Sequence, residues 1–290
     1  MKVYLASLGK TLSQLTSRSP SKVRELVSYF EVKKKGIEPH ERRSDLFLDS
    51  GAYSAFTRGV MIDLDVYIAF VHEHKALLTT YANLDVIGDP TKTWENQQEM
   101  ERQGLKPLPC FHYGEDRVWL KRYMAKHESL AFGGMVPVPG PLQTRWLDEN
   151  FKAISGRDGA SSLKIHGFGL TGRGFLLFRY PWHSVDSTAW RVGSQYGEVV
   201  FVFPSKRTTD QIHFGKDCAE KRLVGKHFFT FSPQEQAKLA AIIIAKGFTV
   251  EELVESGSAR DEWNIRSFCE LETSVMGERG KKEQRPGSFF

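Results

Sequence analysis

Short apolar runs alternate with longer segments of helical spacing along most of this chain of 290 residues. The apolar runs predict eight strands, at 3–7, 46–50, 81–87, 108–113, 130–136, 163–170, 184–190 and 198–203. Segments whose apolar residues recur every three or four positions predict helices, near 20–31 and at 63–78, 92–104, 116–127, 141–154 and 232–247.

Strands that alternate with helices are typical of βαβ units and a parallel sheet, so the sequence predicts an α/β fold. Eight such units in one chain favour a (β/α)₈, TIM-like barrel forming a single domain over 1–275, with a C-terminal helical segment and a mobile basic tail over 276–290. The alternative is a doubly wound open sheet, which usually carries a glycine-rich phosphate loop after its first strand. The segment Leu8-Gly9-Lys10-Thr11 is too short for that loop.

Composition agrees with one globular domain, because 40% of the residues are hydrophobic and 26% are charged. No run approaches the roughly 20 apolar residues that a membrane helix needs. The first residues, MKVYLASLGK, read as a strand rather than a secretory signal. The three cysteines are scattered, as in proteins of a reducing compartment. We therefore expect a cytoplasmic protein without a membrane partner.

The formal net charge of +5 and the pI near 9.0 favour polyanionic partners. Basic residues concentrate at 117–126, at 206–226 and near the C-terminus. Two interpretations stay open at this stage: a nucleic-acid surface and a solvated basic face.

Polar residues follow several predicted strands, where a barrel gathers its active site. They are Asp49 and Ser50, Asn83 and Asp85, His112 and Tyr113, Gly133 and Gly134, His166 and Gly167, and Asp186 and Ser187. Acids in such positions also cap helices, which is an equally good interpretation for Asp89 before Pro90. Glycines beside Asp49 and Asp186 favour close approach of a ligand.

These residues resemble the guanine transglycosylases, enzymes that exchange a guanine base in nucleic acid for a 7-deazaguanine. The family's DSGG-aromatic motif is similar to Asp49-Ser50-Gly51-Ala52-Tyr53, with alanine in place of the second glycine. Four further motifs keep the family's order over residues 46 to 200: Asp85 in ANLDVIGDP, Phe132-Gly133-Gly134-Met135, His166-Gly167-Phe168-Gly169 and Asp186 in HSVDSTAW.

The resemblance implies a role for each residue. Asp186 would be the nucleophile that forms a covalent sugar intermediate, and Asp49 the general acid and base. The implied base-binding residues are Ser50, Tyr53, Asp85, His112, Gly133, Gly134 and His166. Asp85 would read the purine edge, and Gly133 and Gly134 would offer backbone N–H groups. Tyr53 could instead be a core residue and His166 a structural histidine, and His112 replaces a glutamine of the family.

Two departures indicate which branch the chain is similar to. It lacks the C-x-C-x-x-C cluster that binds zinc in tRNA-acting members, so we expect no cofactor; a metal near Cys218, His227 and Cys269 is the open alternative. It is also shorter than those members. Both features resemble the compact, phage-encoded branch that inserts deazaguanines such as 7-cyano-7-deazaguanine into DNA, in the host cytoplasm.

A nucleic-acid substrate requires cations for its backbone. The candidates follow the last predicted site residue: Arg191, Lys206, Arg207, Lys216, Lys221, Arg222 and Lys226. Three alternatives remain at this stage: a tRNA-guanine transglycosylase, a nucleoside or sugar hydrolase that uses the same acids with water, and a non-catalytic nucleic-acid-binding barrel.

Overall fold

The computed structural model describes residues 1–155, 163–170, 174–218 and 222–283. A search of these residues for a helix of sufficient length and hydropathy to cross a membrane found none.

An eight-stranded parallel sheet forms the centre of the molecule. Its strands are β1 (Lys2–Ala6), β2 (Val23–Ser28), β3 (Arg43–Asp49), β4 (Thr80–Tyr81), β5 (Cys110–His112), β6 (Ser129–Gly133), β7 (Lys164–Gly167) and β8 (Ser184–Ser187). The spatial order is β4-β3-β2-β1-β8-β7-β6-β5, so strands consecutive in sequence are neighbours and β1 lies beside β8. The predicted α/β class with a parallel sheet is confirmed.

The two outer strands of this curled sheet approach each other at one backbone bridge. The Leu108 N–H donates to the Tyr81 carbonyl at 2.8 Å, and the Asn83 N–H donates to the Leu108 carbonyl at 3.0 Å. These bonds satisfy backbone groups next to β4 and β5 that would otherwise be unpaired at the two edges of the sheet. The strand order and this bridge are consistent with a TIM-like arrangement.

Helices connect most of the strands. They are α1 (Thr11–Gln14), α2 (Tyr29–Val32), α3 (Ala52–Thr57), α4 (Leu64–His74), α5 (Pro90–Arg102), α6 (Arg117–Met124), α7 (Gly140–Ile154), α8 (Gly174–Arg179), α9 (Ala189–Gln195), α10 (Pro233–Ala245), α11 (Val250–Glu255) and α12 (Gly257–Glu283). Asp63, Asp89 and Asp116 each accept a backbone N–H of the first turn, at 3.0, 2.9 and 2.8 Å. Asp89 is therefore a helix cap.

Two predicted elements are wrong in type or place. The segment near 20–31 is mainly strand β2, not a helix. The strand at 198–203 exists as β9 (Glu198–Phe203), but it pairs in antiparallel fashion with β10 (Thr208–His213) outside the central sheet. The sheet therefore has eight strands, with β2 in the place that the sequence analysis gave to β9.

The C-terminal segment is helical, as expected, but 232–247 is not its last helix. Two more helices, α11 and α12, follow it. Helix α12 continues to Glu283, so residues 276–283 of the expected tail are helical. Residues 284–290 lie outside the described chain. Asn264 of α12 joins this segment to the hairpin, because its side chain accepts from the Val200 N–H at 2.8 Å.

Small and aromatic side chains fill the inside of the sheet. Tyr4, Phe47, Cys110 and Ala131 belong to one buried cluster, and the ring of His166 lies 4.7 Å from that of Phe47. Larger clusters pack between the sheet and its helices. The carboxyl ends of the strands stand above this filled interior, and the polar residues lie there.

Candidate active site at the carboxyl edge of the sheet

Three acids come together at the carboxyl edge of the sheet. Asp49 ends β3, Asp85 follows β4, and Asp186 lies near the end of β8. Asp85 and Asp186 lie close enough to Asp49 for their charges to raise its pKa, so the three acids are near one another at this edge. The structure thus gathers acids that are far apart in sequence, as the strand pattern predicts.

Asp49 has the most perturbed environment of the three. Burial, together with the smaller effect of the charges of Asp85 and Asp186, raises its pKa to about 7. Its Oδ2 accepts the Gly51 N–H at 3.0 Å, which lowers the pKa only in part. Gly51 has φ 73°, and a Cβ there would lie 2.6 Å from Phe30 Cβ and from Ser28 Oγ. A carboxyl with a pKa near neutrality both donates and accepts a proton readily.

Asp186 is buried and held by hydrogen bonds. Its Oδ1 accepts the Gly169 N–H at 3.0 Å and lies 3.2 Å from His166 Nε2. The other ring nitrogen of His166 bonds Ser184 Oγ at 2.8 Å, and the ring is 2% exposed. His166 therefore orients the Asp186 carboxylate from inside the sheet, a position that differs from the base-covering one implied by the resemblance.

Asp85 is bonded on both oxygens. Ser50 Oγ donates to Oδ1 at 2.6 Å, and His112 Nε2 bonds Oδ2 at 2.9 Å. Burial by itself raises the pKa of Asp85, but these bonds from His112 and Ser50 outweigh burial and hold the pKa below its ordinary value. Asp85 is thus an ionised acceptor in a fixed orientation. Ser50 positions it, in addition to accepting the Ala52 N–H at 3.2 Å.

His112 is the centre of a second group of residues. Its Nδ1 lies 3.1 Å from Glu115 Oε1, and its Nε2 lies 3.5 Å from Cys110 Sγ. Burial lowers the pKa of His112, but its interactions with Cys110, Asp85 and Glu115 outweigh burial and raise the pKa well above the ordinary value. Burial also raises the pKa of the Cys110 thiol to about 11.

Among the described residues, one set of three potential metal ligands has its ligand atoms within 4.8 Å of one another: Asp85, Cys110 and His112. Cys218, His227 and Cys269, which the sequence left open as a metal site, do not form such a set within the described part of the chain. Gly133 leaves room for the group, because a Cβ there would lie 2.8 Å from Cys110 Sγ and 2.9 Å from His112 Cδ2.

The sequence analysis missed Glu115 and Cys110. Each lies within three positions of His112, in the segment CFHYGE. Alternation along β5 places residues 110 and 112 on the same face of the strand, and the turn that follows brings Glu115 back to the ring. That spacing was the available signal, and it becomes informative only once β5 is known to face inward.

Three further base-binding candidates lie at the same edge. Tyr53, on α3 directly after β3, is 60% exposed. It is not a core residue, and its ring is accessible from solvent. Gly134 follows β6 with φ 69° and is exposed, whereas Gly133 is buried.

The predicted backbone-contacting cations are spread over several elements. Arg191, on α9, donates to the Ser7 carbonyl at 3.4 Å, close to the carboxyl end of β1. Arg207 donates to the Phe178 carbonyl at 2.6 Å, and Lys216 pairs with Glu255 at 2.5 Å, so both have partners within the protein. Lys206, Arg222 and Lys226 are exposed, and Lys221 lies outside the described residues.

A cavity of about 920 Å³ opens at the opposite, amino-terminal edge of the sheet. Its lining includes Lys2, Lys164 and His183 but none of the three acids. His166 separates it from the acids, because the ring lines the cavity and also bonds Asp186. This cavity therefore lies apart from Asp49 and Asp186.

Comparison of the chain with protein-family models found no matching family, and comparison with curated proteins found no match.

Proposed function

We propose that the protein is a base-exchange transglycosylase that replaces guanine in nucleic acid, most specifically DNA, with a 7-deazaguanine such as 7-cyano-7-deazaguanine. The observation that carries the proposal is the pair Asp49 and Asp186 at one edge of the sheet. The charge of Asp186 contributes to the raised pKa of Asp49, which is about 7, and Asp186 itself is held by the Gly169 N–H and the His166 ring. Acids set apart in this way suit glycosidic chemistry. The curled sheet is, in this proposal, a closed (β/α)₈ barrel.

The first half-reaction forms a covalent intermediate. The Asp186 carboxylate attacks C1′ of the nucleotide as the bond from C1′ to the purine nitrogen breaks, through an oxocarbenium-like transition state. The electron pair of the broken bond stays on the purine, and Asp49 gives its proton to that base. The N–H of Gly169 and the ring of His166 hold the Asp186 carboxylate in the attacking orientation.

The second half-reaction reverses the proton transfer. Asp49, now ionised, removes the proton from the ring nitrogen of the incoming deazaguanine, and that nitrogen attacks C1′. The bond between C1′ and the Asp186 oxygen breaks, which restores the free carboxylate. A pKa of about 7 suits both directions, because a group with that value holds and releases a proton at neutral pH.

Asp85 recognises the purine. A carboxylate accepts hydrogen bonds from the N1–H and the 2-amino group of guanine, which adenine does not offer. The bonds from Ser50 and His112 keep Asp85 ionised and oriented, and each of its oxygens retains a further lone pair. Gly133 and Gly134 offer backbone N–H groups to the purine O6, and the exposed ring of Tyr53 stacks on the base.

The nucleic-acid substrate presents its guanine unpaired. A base inside a duplex is out of reach of the strand ends, so it must be extruded, at a cost of a few kcal/mol, or be single-stranded. Arg191 lies near the ends of β1 and β8 and is the cation best placed to meet the backbone beside the site. The exposed Lys206, Arg222 and Lys226 extend the basic surface.

Trapping of the intermediate tests this proposal. Guanine-containing DNA, guanine-containing tRNA and a deazaguanine are incubated with wild type, Asp186→Asn and the control Asp89→Asn, which changes only a helix cap. We expect a denaturant-stable protein–DNA adduct with wild type and Asp89→Asn, and none with Asp186→Asn. An adduct that persists in Asp186→Asn would refute the assigned nucleophile.

Product analysis then separates the related activities. Incorporation of a labelled deazaguanine into DNA supports the proposal, and incorporation into tRNA alone would reassign the substrate. Release of free sugar with no incorporation would make the protein a hydrolase. Absence of adduct, incorporation and sugar release would leave a nucleic-acid-binding role and refute the proposed activity.

A further inference from the structure

We propose that Asp85, Cys110 and His112 form a zinc-binding site at the carboxyl edge of the sheet. Their ligand atoms all lie within 4.8 Å of one another, and Cys110 and His112 project from alternate positions of the same strand, β5. A thiolate, an imidazole nitrogen and a carboxylate oxygen together are the donor set that Zn²⁺ prefers. Three protein ligands leave a fourth position open, as in sites that hold water or a substrate atom.

One distance between ligand atoms matches a tetrahedral ion, and a second requires a small shift of the Asp85 carboxylate. Bonds of about 2.3 Å to sulfur and 2.05 Å to nitrogen at a tetrahedral angle separate the two ligand atoms by roughly 3.6 Å. The Cys110 Sγ to His112 Nε2 distance is 3.5 Å. The His112 Nε2 to Asp85 Oδ2 distance is 2.9 Å, so the carboxylate must move outward by about half an ångström to reach the roughly 3.4 Å that tetrahedral ligands require.

Glu115 supplies the second feature of a zinc site. Histidines that bind a metal through one ring nitrogen commonly bond a carboxylate through the other, which fixes the ring and its tautomer. His112 Nε2 faces the other two ligands, and Nδ1 lies 3.1 Å from Glu115 Oε1. The Glu115 side chain is 8% exposed, so it is committed to this contact rather than to solvent.

Gly133 keeps the site open from the side of the neighbouring strand. His112 is in register with Gly133, and a Cβ at that position would crowd both Cys110 Sγ, at 2.8 Å, and His112 Cδ2, at 2.9 Å. On binding, the metal replaces the protons on Sγ and Nε2, which pass to solvent. The ligands and Glu115 lie within one short segment plus the end of β4, so the site needs no large rearrangement.

This inference does not depend on base exchange. Asp85 serves both proposals, and for that reason the test relies on Cys110, which the proposed reaction does not use. Metal binding is read without nucleic acid, so failure of the metal site and failure of the proposed reaction are distinguishable.

Metal titration of the full chain tests the site. Protein freed of metal by a chelator is titrated with Zn²⁺ and with Co²⁺, whose thiolate charge-transfer and tetrahedral bands report the ligands. We expect one equivalent to bind, with the thiolate band present in wild type and in the matched controls Cys218→Ser and Cys269→Ser. The band is lost in Cys110→Ser.

Two further variants distinguish loss of a metal ligand from loss of the fold. His112→Ala keeps every thiol and is expected to lose tight binding, whereas Glu115→Gln keeps the thiolate band and weakens affinity about 10- to 100-fold. Circular dichroism verifies the fold of each variant. The proposal is overturned if wild type binds no zinc, or if the thiolate band survives in Cys110→Ser.

Discussion

Environment, rather than residue type, distinguishes the acids of the site. Among the described residues, Asp49 accepts one hydrogen bond, from Gly51, and the charges of two nearby carboxyls act on it, so burial and charge repulsion favour its protonated form. Asp85 is surrounded by donors, and its ionised form is favoured instead. Two aspartates at the ends of neighbouring strands therefore differ in pKa: that of Asp49 is raised and that of Asp85 is lowered.

The raised pKa of Asp49 makes a prediction for stability. A carboxyl whose pKa is higher in the folded state costs stability as pH rises from its unfolded value, near 4, to its folded value of about 7. We expect Asp49→Asn to be more stable than wild type, by an amount that grows over that range, reaches on the order of 4 kcal/mol and is constant above it. Urea unfolding of both proteins from pH 4 to pH 8 measures this, and a pH-independent difference would contradict it.

A second prediction at this scale concerns the stability of a variant at Gly133. Gly133→Ala places a methyl group 2.8 Å from Cys110 Sγ, so we expect a loss of about 1 to 3 kcal/mol in the free energy of unfolding. Gly257→Ala is the control, because a Cβ there meets only the flexible Arg260 side chain at 3.7 Å. Chemical denaturation compares the two. Equal stability of the two variants would show that the site tolerates the added methyl group.

The sequence predicted the three acids and several residues around them, but not the contacts that these residues make. Strand ends of a parallel sheet meet at one edge, so Asp49, Asp85 and Asp186 follow from the alternating pattern alone. Contacts such as His166 with Ser184 depend on which strands are neighbours and on their register, which local pattern does not encode. The position of His166 beside Asp186 likewise depends on strand order and register, so the local sequence pattern did not predict it.

At the scale of elements, the buried Asn264 side chain of helix α12 helps to anchor the β9–β10 hairpin. Asn264 accepts from the Val200 N–H at 2.8 Å and donates to the carbonyls of Trp190 and Glu198 at 2.9 and 3.2 Å. These bonds connect α12, α9 and β9, three elements from different parts of the chain.

Removal of that side chain is therefore expected to be costly. Asn264→Ala removes three hydrogen bonds to backbone groups, two of them buried and one partly buried, and an unsatisfied buried group costs about 1 to 3 kcal/mol, so we expect a loss of about 3 kcal/mol. Thr273→Ala, on the exposed face of the same helix, should change stability by less than about 0.5 kcal/mol. Thermal and denaturant unfolding give both values, and similar losses would exclude a special role for Asn264.

The mistaken helix near 20–31 has a physical cause. Val23, Leu26 and Val27 recur at helical spacing, but β2 is covered on both faces, by the inside of the sheet and by helices. A strand buried on both faces need not alternate apolar and polar residues, so its period is lost. The β9 strand was recognised from its apolar run, but its antiparallel partner was not, because strand propensity does not specify pairing.

At the scale of the whole molecule, the bridge between Tyr81, Asn83 and Leu108 decides whether the sheet behaves as a closed unit. A closed parallel sheet has no free edge, so its amides open only when the whole unit unfolds.

Hydrogen exchange tests this closure. We expect the amides of Asn83 and Leu108 to exchange as slowly as those of Ala131 and Phe168, which donate to the carbonyls of Pro109, directly before β5, and Phe132, on β6. The amide of Gly59, in an exposed turn, should exchange much faster. Fast exchange at Asn83 and Leu108, with slow exchange at Ala131, would contradict closure and show that the sheet is open between β4 and β5.

The place of β1 in the sheet has a consequence for synthesis on the ribosome. Lys2 pairs with Ser184, and the Val3 N–H donates to Glu272 at 3.3 Å, so the strand near the start of the chain obtains one neighbour and its covering helix only after most of the polypeptide has emerged. Until then β1 has β2 on one side and an unsatisfied flank on the other. Nascent chains halted before residue 184 therefore expose that flank to chaperones and to one another.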